Sequence, residues 1–200
     1  MGDEIFFQAF TGRVTKGDRR KLEIIQAALR SISRRGIHGT TYDAIARELG
    51  IGRSQVAYHF PSFELIIETV MKYVTKTAQA ITIERVGAAS GPRERVAAYV
   101  HAAFEWAERF PDQANALVLF YHLCVHDPLY RALHAEMRRT GLERVTGMLA
   151  EANGLSPRSA QERGLLVQTL IFGALTTWLS IREPALTVTA DSIVKLALER

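Results

Sequence analysis

Glycine and proline fall along this chain at intervals that leave room for helices and for little else. Gly36, Gly50-Ile51-Gly52, Pro61, Gly91-Pro92, Pro111-Asp112, Asp127-Pro128, Asn153-Gly154 and Glu183-Pro184 punctuate it. Proline lacks the amide hydrogen a helix needs, and glycine takes backbone angles that end one. Between these marks apolar residues recur at three- and four-residue spacing, as in Leu22, Ile25, Leu29 and Ile32. No stretch alternates apolar and polar for the length of a strand. The spacing therefore predicts an all-α chain. A first helix begins at Asp18 and is closed by a left-handed Gly36. A second carries Tyr42, Ile45, Ala46 and Leu49 on one face and is capped by Thr40 or Thr41. Thr40-x-x-Asp43 is close to a capping box. A short third covers 53–59. Longer helices follow near 62–86, 93–110, 112–126, 128–152, 157–182 and 189–200. Residues 1–17 show no period and are expected to be a flexible basic arm.

Charge is distributed unevenly. The formal net charge of +4 arises entirely in residues 1–60, which hold ten Lys and Arg against six Asp and Glu; the remaining residues balance. A basic module on a neutral body is the electrostatic footprint of a partner that is a polyanion. Cys124 stands alone, which excludes an internal disulfide and any cysteine-based zinc finger and points to a reducing cytoplasm. Asp3 and Glu4 in an opening without a long apolar run do not read as a secretory leader. Residues 164–181, GLLVQTLIFGALTTWLSI, are uncharged and lie between Arg163 and Arg182. Eighteen residues reach the lower limit of a membrane span. Gln168, Thr169, Thr176, Thr177 and Ser180 interrupt the stretch, so a helix buried all round, in a core or across a dimer interface, fits better.

The second and third helices, joined by Gly50-Ile51-Gly52, have the pattern of a helix-turn-helix. Ile45, Ala46 and Leu49 supply an inner face, Ile51 fills the corner, and Val56 and Phe60 give the last helix an apolar back. Its front is polar: Arg53, Ser54, Gln55, Tyr58 and His59. Arg and Gln pair with guanine and adenine edges, and Ser, Tyr and His bind phosphates. A plain helical hairpin shares the apolar pattern but has no need of this front or of the local charge.

Segment 20–66, RKLEIIQAALRSISRRGIHGTTYDAIARELGIGRSQVAYHFPSFELI, resembles the N-terminal domain of TetR-family regulators. The features agree in order: the first amphipathic helix, Gly36, Thr40-Thr41, Ile45-Ala46, Gly50-Ile51, His59-Phe60 and Leu65. Three positions depart from the family pattern: Gly52 replaces a capping Ser, Ala57 a Tyr, and Phe63 a Lys. The resemblance implies an arm at 1–17, a DNA-binding domain at 18–61 and a ligand-binding and dimerisation bundle at 62–200. It implies a cytoplasmic repressor that binds a palindromic operator as a homodimer and is released by a small hydrophobic or aromatic effector. Thr40, Thr41, Arg53, Ser54, Gln55, Tyr58 and His59 become the DNA-contact candidates. Leu166, Leu170, Gly173, Ala174, Thr177, Trp178 and Ile181 become the dimer face. Met71, Phe104, Trp106, Phe120, Tyr121, Cys124, Tyr130, His134, Met137 and Trp178 become pocket candidates. The alternative is a relative with degraded DNA recognition that only binds ligand or protein; Ala57 and Phe63 motivate it.

Enzymatic signatures do not occur: there is no G-x-x-x-x-G-K, H-E-x-x-H or G-x-S-x-G. His134-Ala135-Glu136 has deaminase-like spacing without the paired cysteines. His122 and His126 stand one turn apart, but without a third ligand they do not make a metal site. No cofactor and no membrane partner is expected.

Overall fold

Thr15, not Asp18, opens the first helix. The Thr15 hydroxyl accepts the Asp18 amide at 3.1 Å while the Asp18 carboxylate accepts the Thr15 amide at 3.0 Å, a complete capping box. The helix thus starts two residues early, and Lys16 and Gly17 belong to it rather than to an arm. The computed structural model describes residues 15–199; the expected arm up to residue 14 lies outside the described residues.

The described residues form nine helices and no strand: α1 Lys16–Arg35, α2 Tyr42–Leu49, α3 Arg53–His59, α4 Phe63–Gly87, α5 Pro92–Arg109, α6 Pro111–His126, α7 Pro128–Asn153, α8 Pro157–Ile181 and α9 Leu186–Leu198. The breaks coincide with the sequence punctuation. Gly50 takes the left-handed conformation at the end of α2, φ 64° and ψ 32°. Gly36 also has positive φ, but with an extended ψ of 172°, so it turns the chain out of α1 rather than closing it in the left-handed helical region expected. Of the two threonines before α2, Thr41 is the cap, its hydroxyl accepting the Ala44 amide at 3.1 Å.

The chain divides into two compact units. Among the described residues, one comprises 15–77 together with Asn115–Arg131; the other comprises Ala78–Ala114 and 132–199. In the first unit α1 packs on α2 and α3, and α2 packs on α3. Ile24, Ile25, Ile32, Ile45 and Val56 are fully buried there, together with Phe120 from α6. Burying each such side chain stabilises the fold by roughly 1.5–3 kcal/mol. Asn115 donates to the Ser33 carbonyl at 2.9 Å, tying α6 to the end of α1.

In the second unit α9 packs on α5 and α8, and α5 on α8. Ala160, Gly164, Val167, Ile171 and Leu175 form the inner face of α8. A β-carbon at Gly164 would lie 2.8 Å from the Thr146 hydroxyl oxygen, so glycine lets α7 and α8 approach closely. Helix α8 is long and apolar enough to cross a membrane by length and composition, with a mean hydropathy of 1.6 over its best window. Of the two ways in which it was expected to be buried all round, a core within one chain is not what is seen: only the inner face is covered in the protomer. Its other face is apolar and open.

Candidate nucleic-acid interface

The geometry of α3 follows from division of labour along two turns. Val56 and Phe60 are buried against the first unit, fixing which side of the helix faces in. Arg53, Ser54, Gln55, Ala57 and Tyr58 are exposed, and His59 is half-buried. Tyr58 is 82% exposed, a large aromatic with little of its own protein to rest on; its ring meets the His59 ring edge-on at 5.2 Å. The helix starts at Gly52 with no side-chain cap, so the departure from the capping Ser is real. The helix is held instead from behind. The Tyr42 hydroxyl donates to the Phe60 carbonyl at 2.9 Å, clamping the last turn of α3 to the first turn of α2. Partial burial, and then the Glu64 carboxylate, push the Tyr42 phenol above its ordinary value, so it stays a donor. Phe63, where the family pattern has a Lys, packs near the Tyr42 ring at 6.5 Å between centroids.

Ser54, Gln55, Tyr58 and His59 line one groove of about 320 Å³, and Arg20 from α1 completes it. Arg20 lies on α1 and is not among the DNA-contact candidates that the sequence offers. Its signal was present as the basic run Arg19-Arg20-Lys21, but its reach to α3 depends on how α1 crosses the hairpin. Arg53 stands apart from the groove and pairs with Asp43 of α2 at 3.4 Å. Both side chains are largely exposed, at 68% and 57%, so the pair is worth about 0–1 kcal/mol and yields readily to a stronger acceptor. Thr40 is a correction. It is only 3% exposed, and its hydroxyl is held by the Gly36 carbonyl and Ser31, both at 3.0 Å. It braces the turn before α2 and has no surface to offer, whereas Thr41 remains exposed.

These features coincide with similarity to known proteins. A sequence profile described as "Bacterial regulatory proteins, tetR family" matches residues 24–68, from α1 into the start of α4. The HTH-type transcriptional regulator BetI of Burkholderia thailandensis is 30% identical over 157 residues, which covers 77% of this chain and 78% of that protein. The chain belongs to the TetR family. This TetR-family transcriptional regulator shares its fold with solved relatives. A transcriptional regulator of Saccharomonospora viridis in complex with choline superposes with a TM-score of 0.78 at 19% identity, over 89% of this chain and 95% of that one. FadR of Bacillus subtilis in complex with stearoyl-CoA gives 0.73 at 21% identity, over 89% and 97%.

The other candidate residues fall as follows. On α8, Leu166, Gly173, Thr177 and Ile181 are exposed and Leu170, Ala174 and Trp178 half-buried, together forming one continuous outer face. The Arg182 guanidinium lies over the Trp178 ring at 4.5 Å. The ten pocket candidates divide between the units. Met71, Phe120, Tyr121, Cys124 and Tyr130 are in the first; all but the half-buried Tyr121 are buried. The Cys124 thiol donates to the Phe120 and Tyr130 carbonyls, and burial raises its pKa. Phe104, Trp106, His134, Met137 and Trp178 are in the second. The Trp106 indole donates to the buried Gln113 at 2.9 Å, and burial, followed by the Arg138 charge, lowers the pKa of His134. A cavity of about 540 Å³ does occur in the second unit, and it is lined by other residues. Ile83 and Val86 come from α4, Arg95 and Tyr99 from α5, and Arg144, Met148 and Glu151 from α7. His122 and His126 face each other on α6 with ring centroids 5.1 Å apart; among the described residues no group of three or more His, Cys, Asp or Glu is placed to hold a metal ion.

Proposed function

We propose that this regulator is a cytoplasmic repressor that binds an inverted-repeat operator as a homodimer and is released by a small effector held in the second unit. The observation that carries the reading is α3 itself: a two-turn helix anchored by Val56 and Phe60 and clamped by Tyr42, with every polar side chain on its outer side. A short helix so held inserts its N-terminal end into the major groove. Arg53 then reads a base edge, leaving Asp43 to do so, with Gln55 as the second reader. Ser54, Tyr58, His59 and Arg20 engage phosphates along their shared groove, and Thr41 meets the backbone beside α2.

The open outer face of α8 supports the dimer. Its outer face presents Leu166, which is 53% exposed, with Leu170, Thr177 and Ile181 along one line. A face of this kind pairs with its own copy about a two-fold axis, and that symmetry makes two half-sites one helical turn, or a multiple of it, apart. Effector response is supported by the cavity in the second unit. Choline and stearoyl-CoA, bound by two structural relatives, differ too much chemically to select an effector here.

Selection of bound fragments from random duplex DNA at near-physiological salt tests this reading. An enriched inverted repeat is expected. Absence of any enriched sequence, with weak and steeply salt-dependent binding, overturns it in favour of a ligand- or protein-binding relative. On the selected operator, Arg53→Ala should cost about 1–3 kcal/mol and relax preference at one base pair per half-site; equal weakening on all sequences would make Arg53 a phosphate contact.

A further inference from the structure

We propose that the cavity formed by α4, α5 and α7 in the second unit binds a small amphiphile with an anionic head and one apolar chain. This rests on the effector-response reading above and adds the place and chemical class of the effector. About 540 Å³ is within the range of small-molecule sites, roughly 300–1,000 Å³. Its apolar wall is unfinished: Ile83 is 60% exposed although it faces a concave surface shared with Val86 and Met148. An apolar chain laid there removes that surface from water.

The charged groups at the cavity do not cancel. Arg95 pairs with Glu151 at 3.2 Å, which neutralises both. Arg144 has no carboxylate within ion-pair distance among the described residues, so the lining carries one surplus positive charge. A carboxylate placed against Arg144 gains charge-assisted hydrogen bonds, which are about twice as strong as neutral ones. The same surplus repels a quaternary ammonium. Such a cation also needs aromatic faces around it, and Tyr99 is the one aromatic residue in the lining. The Tyr99 hydroxyl is engaged elsewhere, lying 3.5 Å from the Gly141 carbonyl and hydrogen-bonded to Gln168. The ring therefore serves as wall, and Arg144 holds the head.

The position explains how occupancy reaches DNA. Thr82, Ile83 and Val86 lie in the last turns of α4, whose first residue is three positions past the end of the reading module at Phe60. A chain wedged against those turns acts on a helix that runs without a break to Phe63.

Titration calorimetry with sodium decanoate and decyltrimethylammonium chloride, each below its micelle concentration, tests the inference on the full chain. Decanoate should bind one per chain and about tenfold or more tighter than the ammonium of equal chain length. Arg144→Ala should weaken decanoate about tenfold, and Met148→Trp should abolish binding by filling the wall. Arg158→Ala, which removes a surface cation of the same unit outside the cavity, should bind as the parent does. Thermal melting of each variant confirms folding; should Met148→Trp fail to fold, Arg144→Ala decides. Equal or tighter binding of the ammonium, or decanoate affinity unchanged by Arg144→Ala, overturns the proposal. Operator affinity measured without amphiphile reports on DNA reading alone, so its failure is separate from a failure of the calorimetry. Decanoate that binds as described without changing operator affinity would overturn its role as effector.

Discussion

The outer faces of α3 and α8 are both left uncovered by the protomer, and they are chemical opposites. The first exposes Arg53 and, around a groove that Arg20 completes, Ser54, Gln55 and Tyr58. The second exposes Leu, Gly, Ala, Thr and Ile, with no charged residue between Arg163 and Arg182. Polar donors in a short anchored helix suit a polyanion whose charge sits at the surface. An uncharged stripe with small residues at its centre suits close approach of an identical stripe, where two copies of any charge would meet head-on. On the proposed reading the two open surfaces serve two partners, DNA and a second copy of the chain.

Gly173→Glu is the strongest way to break that contrast. A side chain there meets nothing within 4 Å in the protomer, so the folded chain should be unaffected. In a symmetric pair two carboxylates would face one another, at a cost of several kcal/mol. Size-exclusion chromatography with light scattering should find a monomer, and operator affinity should fall on the order of 100-fold. An intact dimer would move the self-association surface away from α8.

Phe60→Ala comes next, attacking the anchored side of α3 while leaving its outer side chemically intact. Loss of a buried aromatic should cost about 3–5 kcal/mol in thermal or urea unfolding, and DNA affinity should fall with it. If stability dropped without loss of DNA affinity, anchoring would matter less to reading than the outer residues do. Tyr42→Phe removes only the clamp to the Phe60 carbonyl and should cost about 0.5–1.5 kcal/mol.

The sequence shows unevenly how far such features can be foreseen. Helix number, type and most boundaries follow from proline, glycine and apolar spacing, because those act within one or two turns. The uncharged run of α8 was visible too, but not that one side of it lies open in the protomer: the run alone reads as a helix buried all round, and its outer residues were singled out by the family resemblance. Choices between adjacent residues were not visible. Thr40 and Thr41 have the same capping chemistry, and only the path of the chain into the Ser31 and Gly36 contacts buries one and exposes the other. Arg20 likewise reads as one more basic residue until α1 is laid against α3. The cavity lay furthest from view, since Ile83, Tyr99 and Arg144 come from three helices and share no local pattern. Aromatic content pointed instead to Phe104, Phe120 and Trp106, which are core residues.

The smallest effect sharpens the contrast at its uncapped end. Gly52 has an ordinary φ of −73°, and an added β-carbon would make only a normal contact with Ser54 at 3.5 Å. Gly52→Ser should therefore raise stability by a few tenths of a kcal/mol through a new cap, measured as a small rise in melting temperature. No rise would mean that a hydroxyl at the start of α3 adds nothing to a helix already held at its far end by the Tyr42 clamp.

Cys124 has a practical consequence. Its thiol is buried, engaged with two backbone carbonyls and held in its protonated form, so it reacts slowly with alkylating dyes. The native chain is close to thiol-silent. Ala57→Cys places one reactive group on the exposed side of α3; in the proposed dimer a dye pair at this position becomes a ruler for the spacing of the two α3 helices, read with and without decanoate and without stripping out the natural cysteine.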